Sequence, residues 1–209
     1  MKPLCRWAFL GHRRLIYVST LLGRMQLGLI TTSATRARSR GDDVARISTM
    51  VTSALKGHLC SDHDGLPVKV GELVLLGDIQ LPQLSAADIL ERHVAADLAE
   101  KTSGVRYPVV YVYCEKVVND LREKFRTFSG TADLCVDIRV SHEHMNELQP
   151  SLQTYVEAIT DVLDRKRGRW TTGVFYSGGY VIEFGPIKRG GRNFIQSAKV
   201  ELRVNVSVE

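Results

Sequence analysis

Residues 194–208 read FIQSAKVELRVNVSV, and this stretch decides the fold class of the chain. Its two alternating sets are apolar (Phe194, Ala198, Val200, Leu202, Val204, Val206 and Val208) and polar (Ser197, Lys199, Glu201, Arg203, Asn205 and Ser207). A period of two predicts a β-strand with one buried face and one solvated face, because a helix would mix the two sets. At roughly 3.3 Å per residue the strand is about twice the usual length. We therefore expect that it bends or that its end pairs outside its own domain.

Two more strands are predicted ahead of it. Tyr107–Cys114 is apolar on both faces, which is typical of a central strand, with Pro108 at its beginning. Ala132–Ser141 alternates between apolar and polar residues, which indicates one buried face and one solvated face. The segment between them, Glu115–Gly130, fits either a helix or a strand and is rich in charge, so we expect an exposed excursion. Thr172–Phe184 predicts a further strand, interrupted at its paired glycines.

Helices are predicted from apolar residues at spacings of three and four. The longest runs from Met145 to Leu163 and ends before a basic cluster and a glycine, while Pro150 suggests a start near Asn146 or later. A shorter helix is predicted at 47–57. Another is predicted from Ser85 to about Gly104, with Asp88 completing a capping box. Between these two, residues 68–75 are predicted to form a strand.

These elements predict an α+β fold: a mostly antiparallel sheet of four to five strands, packed by two or three helices in a single domain over residues 47–209. The chain contains no run of eighteen apolar residues, so no transmembrane helix is expected.

The positive charge of the chain lies in its first part. The sequence has 28 Lys and Arg against 23 Asp and Glu, and eight of the basic residues but none of the acidic ones lie in residues 1–41. The remaining residues are therefore slightly acidic. We interpret residues 1–46 as a basic leader that is disordered or belongs to a start assigned too far upstream. A targeting segment and a functional basic arm remain alternatives.

The side chains that usually carry chemistry are scattered. The four cysteines (Cys5, Cys60, Cys114 and Cys135) include no CxxC pair, which favours free thiols in a reducing compartment. The stretches 58–64 and 142–144 contain possible zinc ligands, but their spacing fits no standard site, so a polar turn and a helix-capping group are the preferred interpretations. No nucleophile motif or phosphate-binding glycine loop is present. We therefore predict no catalytic residue, cofactor or metal, and a protein that is not an enzyme.

One basic cluster lies outside the leader, at Lys188, Arg189 and Arg192. A hairpin tip is the preferred interpretation. Contact with a nucleic-acid backbone is an alternative, in which the leader and the 188–192 loop together form a binding module. Few aromatic residues are nearby, so no base-specific contact is predicted.

The order of these segments is itself informative. A two-faced strand, a charged excursion, an amphipathic strand, a long helix, a Gly-Gly strand, a basic loop and a final alternating strand follow one another from about Tyr107 to Val208. This half of the chain resembles the tail terminator and tail completion proteins of long-tailed bacteriophages, and the neck proteins near them. The stretches that carry the resemblance are 107–113, 124–130, 137–142, 175–180 and 191–194.

The resemblance implies a structural virion protein of a phage or prophage, assembled in the bacterial cytoplasm. Such a protein forms a ring, expected to be a hexamer, that terminates the tail tube and joins it to the neck; a different head-tail connector is an alternative. Its partners would be copies of itself and the tail-tube and neck proteins, without a membrane. The candidate subunit-interface residues are Glu115, Arg122, Lys124, Arg126, Lys199 and Arg203. Lys188, Arg189 and Arg192 are candidates for facing the lumen or non-specifically bound DNA.

Overall fold

The computed structural model describes residues 40–77, 80–92, 106–120 and 122–209. These residues form three α-helices, a short 3-10 turn and eight strands. The helices are α1 (Arg40–Leu59), α2 (Leu66–Gly77) and α3 (Met145–Arg165). The strands are β1 (Ile89–Glu91), β2 (Val109–Asn119), β3 (Phe128–His142), β4 (Gly168–Thr171), β5 (Val174–Tyr176), β6 (Tyr180–Phe184), β7 (Lys188–Gly190) and β8 (Asn193–Val208).

All eight strands belong to one sheet, in the order β1-β2-β3-β8-β5-β4, with β6 and β7 also paired to β8. Only the β1–β2 pair is parallel; the other strand pairs are antiparallel. The predicted α+β class with a mostly antiparallel sheet is confirmed. The predicted four to five strands were too few, because β1, β4, β5 and β7 are only three or four residues long, which is too short to produce a visible period.

The core lies between the sheet and helices α1 and α3. Most apolar residues of β3 and β8 that the alternation predicted as buried, including Leu134, Val136 and Val200, are fully buried there, whereas Phe194 and Val208 at the two ends of β8 are partly buried. Helix α3 contributes its apolar stripe, including Leu152 and Ile159, and α2 packs on α3 from outside. Pro150 lies inside α3, which begins at Met145, earlier than Pro150 had suggested.

The final strand is confirmed as β8, and both of its edges pair with other strands among the described residues. One edge of β8 pairs with β3 along its length, from Phe194 opposite His142 to Val208 opposite Phe128. The other edge pairs with β7, then β6, then β5, as the chain runs back alongside it. The length of β8 is therefore explained by several short partners within the same subunit, and no pairing outside the domain is needed.

Two predictions in the first half of the fold were wrong. Residues 68–75 belong to helix α2, not to a strand. Ser85 and Asp88 do form a capping box, but it starts only the 3-10 turn Ala86–Asp88, after which the chain enters β1. The rest of the helix predicted to about Gly104 lies in residues 93–105, outside the described residues.

Other boundaries changed as well. The predicted helix at 47–57 is confirmed within α1, which begins at Arg40, inside the stretch that the sequence assigned to the leader. Residues 1–39 of that leader lie outside the described residues. The predicted excursion at 115–130 is shorter than expected, because β2 extends to Asn119 and β3 begins at Phe128. None of the helices in the described ranges is long and apolar enough to cross a membrane.

Candidate subunit-interface surfaces

The face of the sheet opposite the helices carries paired charges, and three of the candidate interface residues lie on it. Lys199 of β8 donates hydrogen bonds to both carboxylate oxygens of Glu115, at 3.1 Å each, and approaches Glu201 at 2.6 Å. Arg203 binds Asp133 through two nitrogens, at 2.6 and 3.2 Å, because these residues are register partners on β8 and β3. Glu115, Lys199 and Arg203 are thus brought together on neighbouring strands, and each pairs within its own subunit.

The Cys135 thiol lies beneath this charged layer. Cys135 is buried and donates a hydrogen bond to Glu115 at 3.2 Å. Burial, and secondly this hydrogen bond, raise the pKa of the Cys135 thiol to about 12, so the thiol stays protonated at neutral pH. Burial by itself lowers the pKa of Lys199, but hydrogen bonds to Glu201 and Glu115 outweigh it and raise that pKa, which keeps the ammonium charged.

Glu115, Cys135 and Glu201 place their potential ligand atoms within 4.8 Å of one another. A cation bound there would compete with the Lys199 ammonium, which already contacts both carboxylates. It would also have to displace the proton from a thiol with a raised pKa. The cluster is therefore best described as a hydrogen-bonded polar layer that holds β2, β3 and β8 in register.

The same face contains a buried arginine. Arg139 donates to the Asp137 carboxylate at 2.7 and 3.0 Å and lies 4.8 Å from the ring centroid of Tyr111. Arg92 approaches the same ring at 5.5 Å. These contacts explain how Tyr111, on the predicted two-faced strand, is buried on a face that also carries charges.

The three other interface candidates lie on the turn between β2 and β3. Arg122 pairs with Asp120 at 2.6 Å, Arg126 contacts Glu123 and Glu209, and Lys124 is exposed. Between them lies Phe125, whose side chain is 99% exposed and whose φ is 66°. Bulky side chains seldom adopt a positive φ, so this turn holds an aromatic ring in solvent at a conformational cost. Phe125 lies in the segment that the sequence predicted to be an exposed excursion, but the exposure of this aromatic ring itself was not singled out.

The basic cluster at 188–192 forms the predicted hairpin tip. Lys188–Gly190 is β7, which pairs with the beginning of β8, and Gly191 at the turn has φ 67°. Arg189 and Arg192 are exposed, whereas Lys188 is half-buried. Lys188 lines a cavity of about 210 Å³ with Arg139 and Gln196. The three basic residues therefore do not form one uniformly exposed patch.

The two stretches first considered as metal ligands have structural roles. Asp64 accepts hydrogen bonds from Ser61 at 2.6 Å and from Lys166, while His58 packs edge-on against Trp170 with ring centroids 5.2 Å apart. The His142 ring accepts a hydrogen bond from the His144 backbone nitrogen at 3.0 Å, just before α3 begins. The described cysteines, Cys60, Cys114 and Cys135, are free thiols as expected.

A second exposed apolar surface lies on α2. Leu75 and Leu76, near its carboxyl end, are 86% and 84% exposed. They were missed because the segment was predicted to be a strand, although the uninterrupted apolar run from Leu73 to Leu76 was visible in the sequence.

A scan against known protein-family models finds no match for this chain, and a search of curated proteins finds none either. The residues and their geometry are therefore the basis for proposing a function.

Proposed function

We propose that this chain is a structural virion protein of a long-tailed phage or prophage, which forms a closed ring that terminates the tail tube and joins it to the neck. The ring is expected to be a hexamer, assembled in the bacterial cytoplasm. The observation that carries the proposal is that large apolar side chains on two separate surfaces are held almost fully in solvent: Phe125 on the β2–β3 turn, and Leu75 and Leu76 on α2.

Exposed apolar side chains of this size favour a protein–protein contact. Burying each of them would gain about 1.5–3 kcal/mol from removing its surface from water. Contiguous apolar surface rimmed by polar residues is typical of interaction sites. Two different surfaces on one subunit suit a head-to-tail contact, which closes into a ring when the rotation between subunits permits it.

The order of elements supports the same family of functions. The described strands and helix from β2 to β8 follow the order on which the resemblance to tail terminator proteins was based. The resemblance implied that the charged outer face of the sheet contacts neighbouring subunits, and we propose a different role for this face. Because Glu115, Lys199 and Arg203 pair within the subunit, we assign them to joining neighbouring strands on the polar face of the sheet. The β2–β3 turn then remains the stronger candidate for contact with a neighbour.

Binding to a nucleic-acid backbone is a second candidate function, favoured by the exposed guanidinium groups of Arg189 and Arg192 on one hairpin. It predicts DNA affinity that falls steeply with salt and has a smaller salt slope in the double variant Arg189→Ala, Arg192→Ala. Deletion of residues 1–39 tests the contribution of the leader without removing residues from α1. An affinity that does not change with salt would exclude this candidate.

Electron microscopy of the purified full-length chain tests the ring proposal. Class averages should show closed rings of uniform subunit number, and mixing with tail tubes should place a ring at one end of each tube. Particles that remain single subunits, or open chains of variable length, would contradict the proposal.

A further inference from the structure

A groove between α2 and α3 combines leucines with carboxylates. It has a volume of about 380 Å³, and its walls include Leu73 and Leu76 of α2 and Glu157, Asp161 and Asp164 of α3. Leu76 is largely exposed at its edge, with Leu75 beside it. Arg165 also lines the groove and pairs with Asp161 at 3.1 Å, while Arg167 pairs with Asp164 at 2.5 Å. The groove therefore offers leucines beside a rim whose negative charge lies mainly at the exposed Glu157.

A buried lysine joins the two helices that form this groove. The Lys69 side chain is only 6% exposed, and its ammonium contacts Glu72 at 2.6 Å and Asp161 at 3.8 Å. A desolvated lysine requires such partners, so α2 is tied to α3 at this point. Leu66 and Val70 lie on the face of α2 that packs into the core, and Leu73 packs partly against it, whereas Leu75 and Leu76 lie outside that face.

The β2–β3 turn also has an apolar residue at its tip, but the residues beside it carry positive charge. Phe125 projects between Lys124 and Arg126. The turn is anchored on both sides, since Asp120 donates a backbone hydrogen bond to Ser129 at 3.0 Å and Thr127 donates one to Val208 at 3.0 Å. The exposed ring is therefore presented from a fixed base.

We infer that the Phe125 turn of one subunit inserts into the α2–α3 groove of the next, with the ring of Phe125 on the leucines and the basic residues facing the acidic rim. The inference rests on the proposed function and names the contact that closes the ring. Turn and groove share no residue, so each subunit keeps one of each available, as a head-to-tail contact requires. An aromatic side chain flanked by charges is also the usual composition of an interface hot spot and its polar rim.

Two matched variants of the full-length chain test the contact. Phe125→Asn removes the ring while keeping a residue that tolerates a positive φ, and Leu76→Ser removes apolar surface from the groove. Each should weaken assembly by at least about 30-fold, as loss of a hot-spot side chain does. Met145→Ser, which alters an exposed apolar residue at the first position of α3 and outside the groove lining, should leave assembly unchanged. Circular dichroism and urea denaturation check that each variant is folded.

Mixing the two variants gives the sharper readout. The Phe125→Asn subunit has an intact groove, and the Leu76→Ser subunit has an intact Phe125 turn. An equimolar mixture should form one-to-one dimers that do not grow, because the remaining surfaces are both defective. A mixture that forms full rings, or that remains as monomers while the wild type forms rings, would overturn the inference.

The charged rim is tested by exchanging charges. Lys124→Glu and Glu157→Lys each place like charges across the contact and should weaken assembly several-fold at low salt, with a smaller effect at high salt. The chain that carries both changes should recover most of the loss; no recovery would count against the inference.

The outcomes separate this inference from the proposed function. A wild-type ring whose assembly is unchanged by Phe125→Asn and Leu76→Ser would overturn this contact and leave the ring proposal standing. A wild-type chain that stays monomeric at all concentrations would overturn both.

Discussion

At the scale of single side chains, Tyr155 is an example of a buried polar group that has a hydrogen-bond partner. Its ring is fully buried in α3, and its hydroxyl donates a hydrogen bond of 2.6 Å to the carbonyl oxygen of Pro82. This bond joins the segment ahead of β1 to α3, far along the chain. Lys69 and Arg139 are buried in the same way, each next to a carboxylate.

Replacing Tyr155 by Phe should lower the free energy of unfolding by about 1–2 kcal/mol, because the variant leaves the Pro82 carbonyl without its hydroxyl donor. Urea denaturation monitored by circular dichroism measures this as a lower midpoint at an unchanged slope. Tyr180→Phe is the matched control: its hydroxyl donates to Asp164 at 3.2 Å at an exposed position. That change should cost less than about 0.5 kcal/mol. Equal losses in the two variants would contradict the account.

The lowered pKa of His58 predicts that the folded protein loses stability in mild acid. Burial, and secondly the nearby Lys166, lower its pKa below the usual 6.5, while Asp64 opposes them more weakly. In the folded state the ring therefore stays neutral to a lower pH than in the unfolded state. Its contribution to stability is present above about pH 6.5 and is lost as the pH falls towards the lowered pKa of the folded state.

Denaturation curves at pH 7.5 and 5.5 test this behaviour. His58→Gln should lose less stability than the wild type between these two values, because Gln does not titrate. His63→Gln, an exposed position in the following loop, should behave as the wild type does. A His58→Gln chain with the same pH dependence as the wild type would show that the pKa of this ring is not lowered.

Among helices and strands, the long periodic ones were predictable and the short ones were not. Strand β8 and helix α3 each repeat their pattern many times, so a single exception such as Gln196 or Pro150 does not hide it. Helix α2 has apolar residues at Val68 and Val70 and again at 73–76, which fit a buried strand as well as a helix. The capping box at Ser85 was read correctly as a local hydrogen-bond pattern, but a 3-10 turn satisfies it as well as a helix does.

The candidate surfaces were predictable in part, for a similar reason. Charge identified Glu115, Lys199 and Arg203, and the alternation of β8 placed the last two on the polar face. Which residue on a neighbouring strand each of them pairs with depends on strand register. The sequence of a single strand does not reveal that register. The exposure of Phe125 and Leu76 depends on which apolar side chains the core has room for, and only the assembled fold shows this.

A glycine pair tests the packing of strands and helices. A Cβ added at Gly130 of β3 would lie 1.9 Å from the Val118 carbonyl oxygen of β2, whereas one added at Gly57 of α1 would meet nothing within 4 Å. Gly130→Ala should therefore destabilise the protein by about 1–3 kcal/mol. Gly57→Ala should stabilise it by about 0.5–1 kcal/mol, because alanine favours a helix. Thermal unfolding of both variants measures this, and a Gly130→Ala chain as stable as the wild type would be inconsistent with the described β2–β3 pairing.

At the scale of the whole molecule, one sheet with its helices carries two outward-facing apolar surfaces. The sheet is held by a helix-covered core on one face and by paired charges on the other. The β2–β3 turn and the α2–α3 groove lie at the outside of this core. The proposed ring depends on whether these two surfaces bind each other.

The molar mass of the full-length chain in solution tests this most directly. Light scattering coupled to size-exclusion chromatography, over a wide range of loading concentrations, should give a mass that rises with concentration and levels off at one closed multiple of the subunit, expected to be six. The ring proposal predicts that plateau. A mass equal to one subunit at every concentration, or one that grows without a plateau, would contradict it.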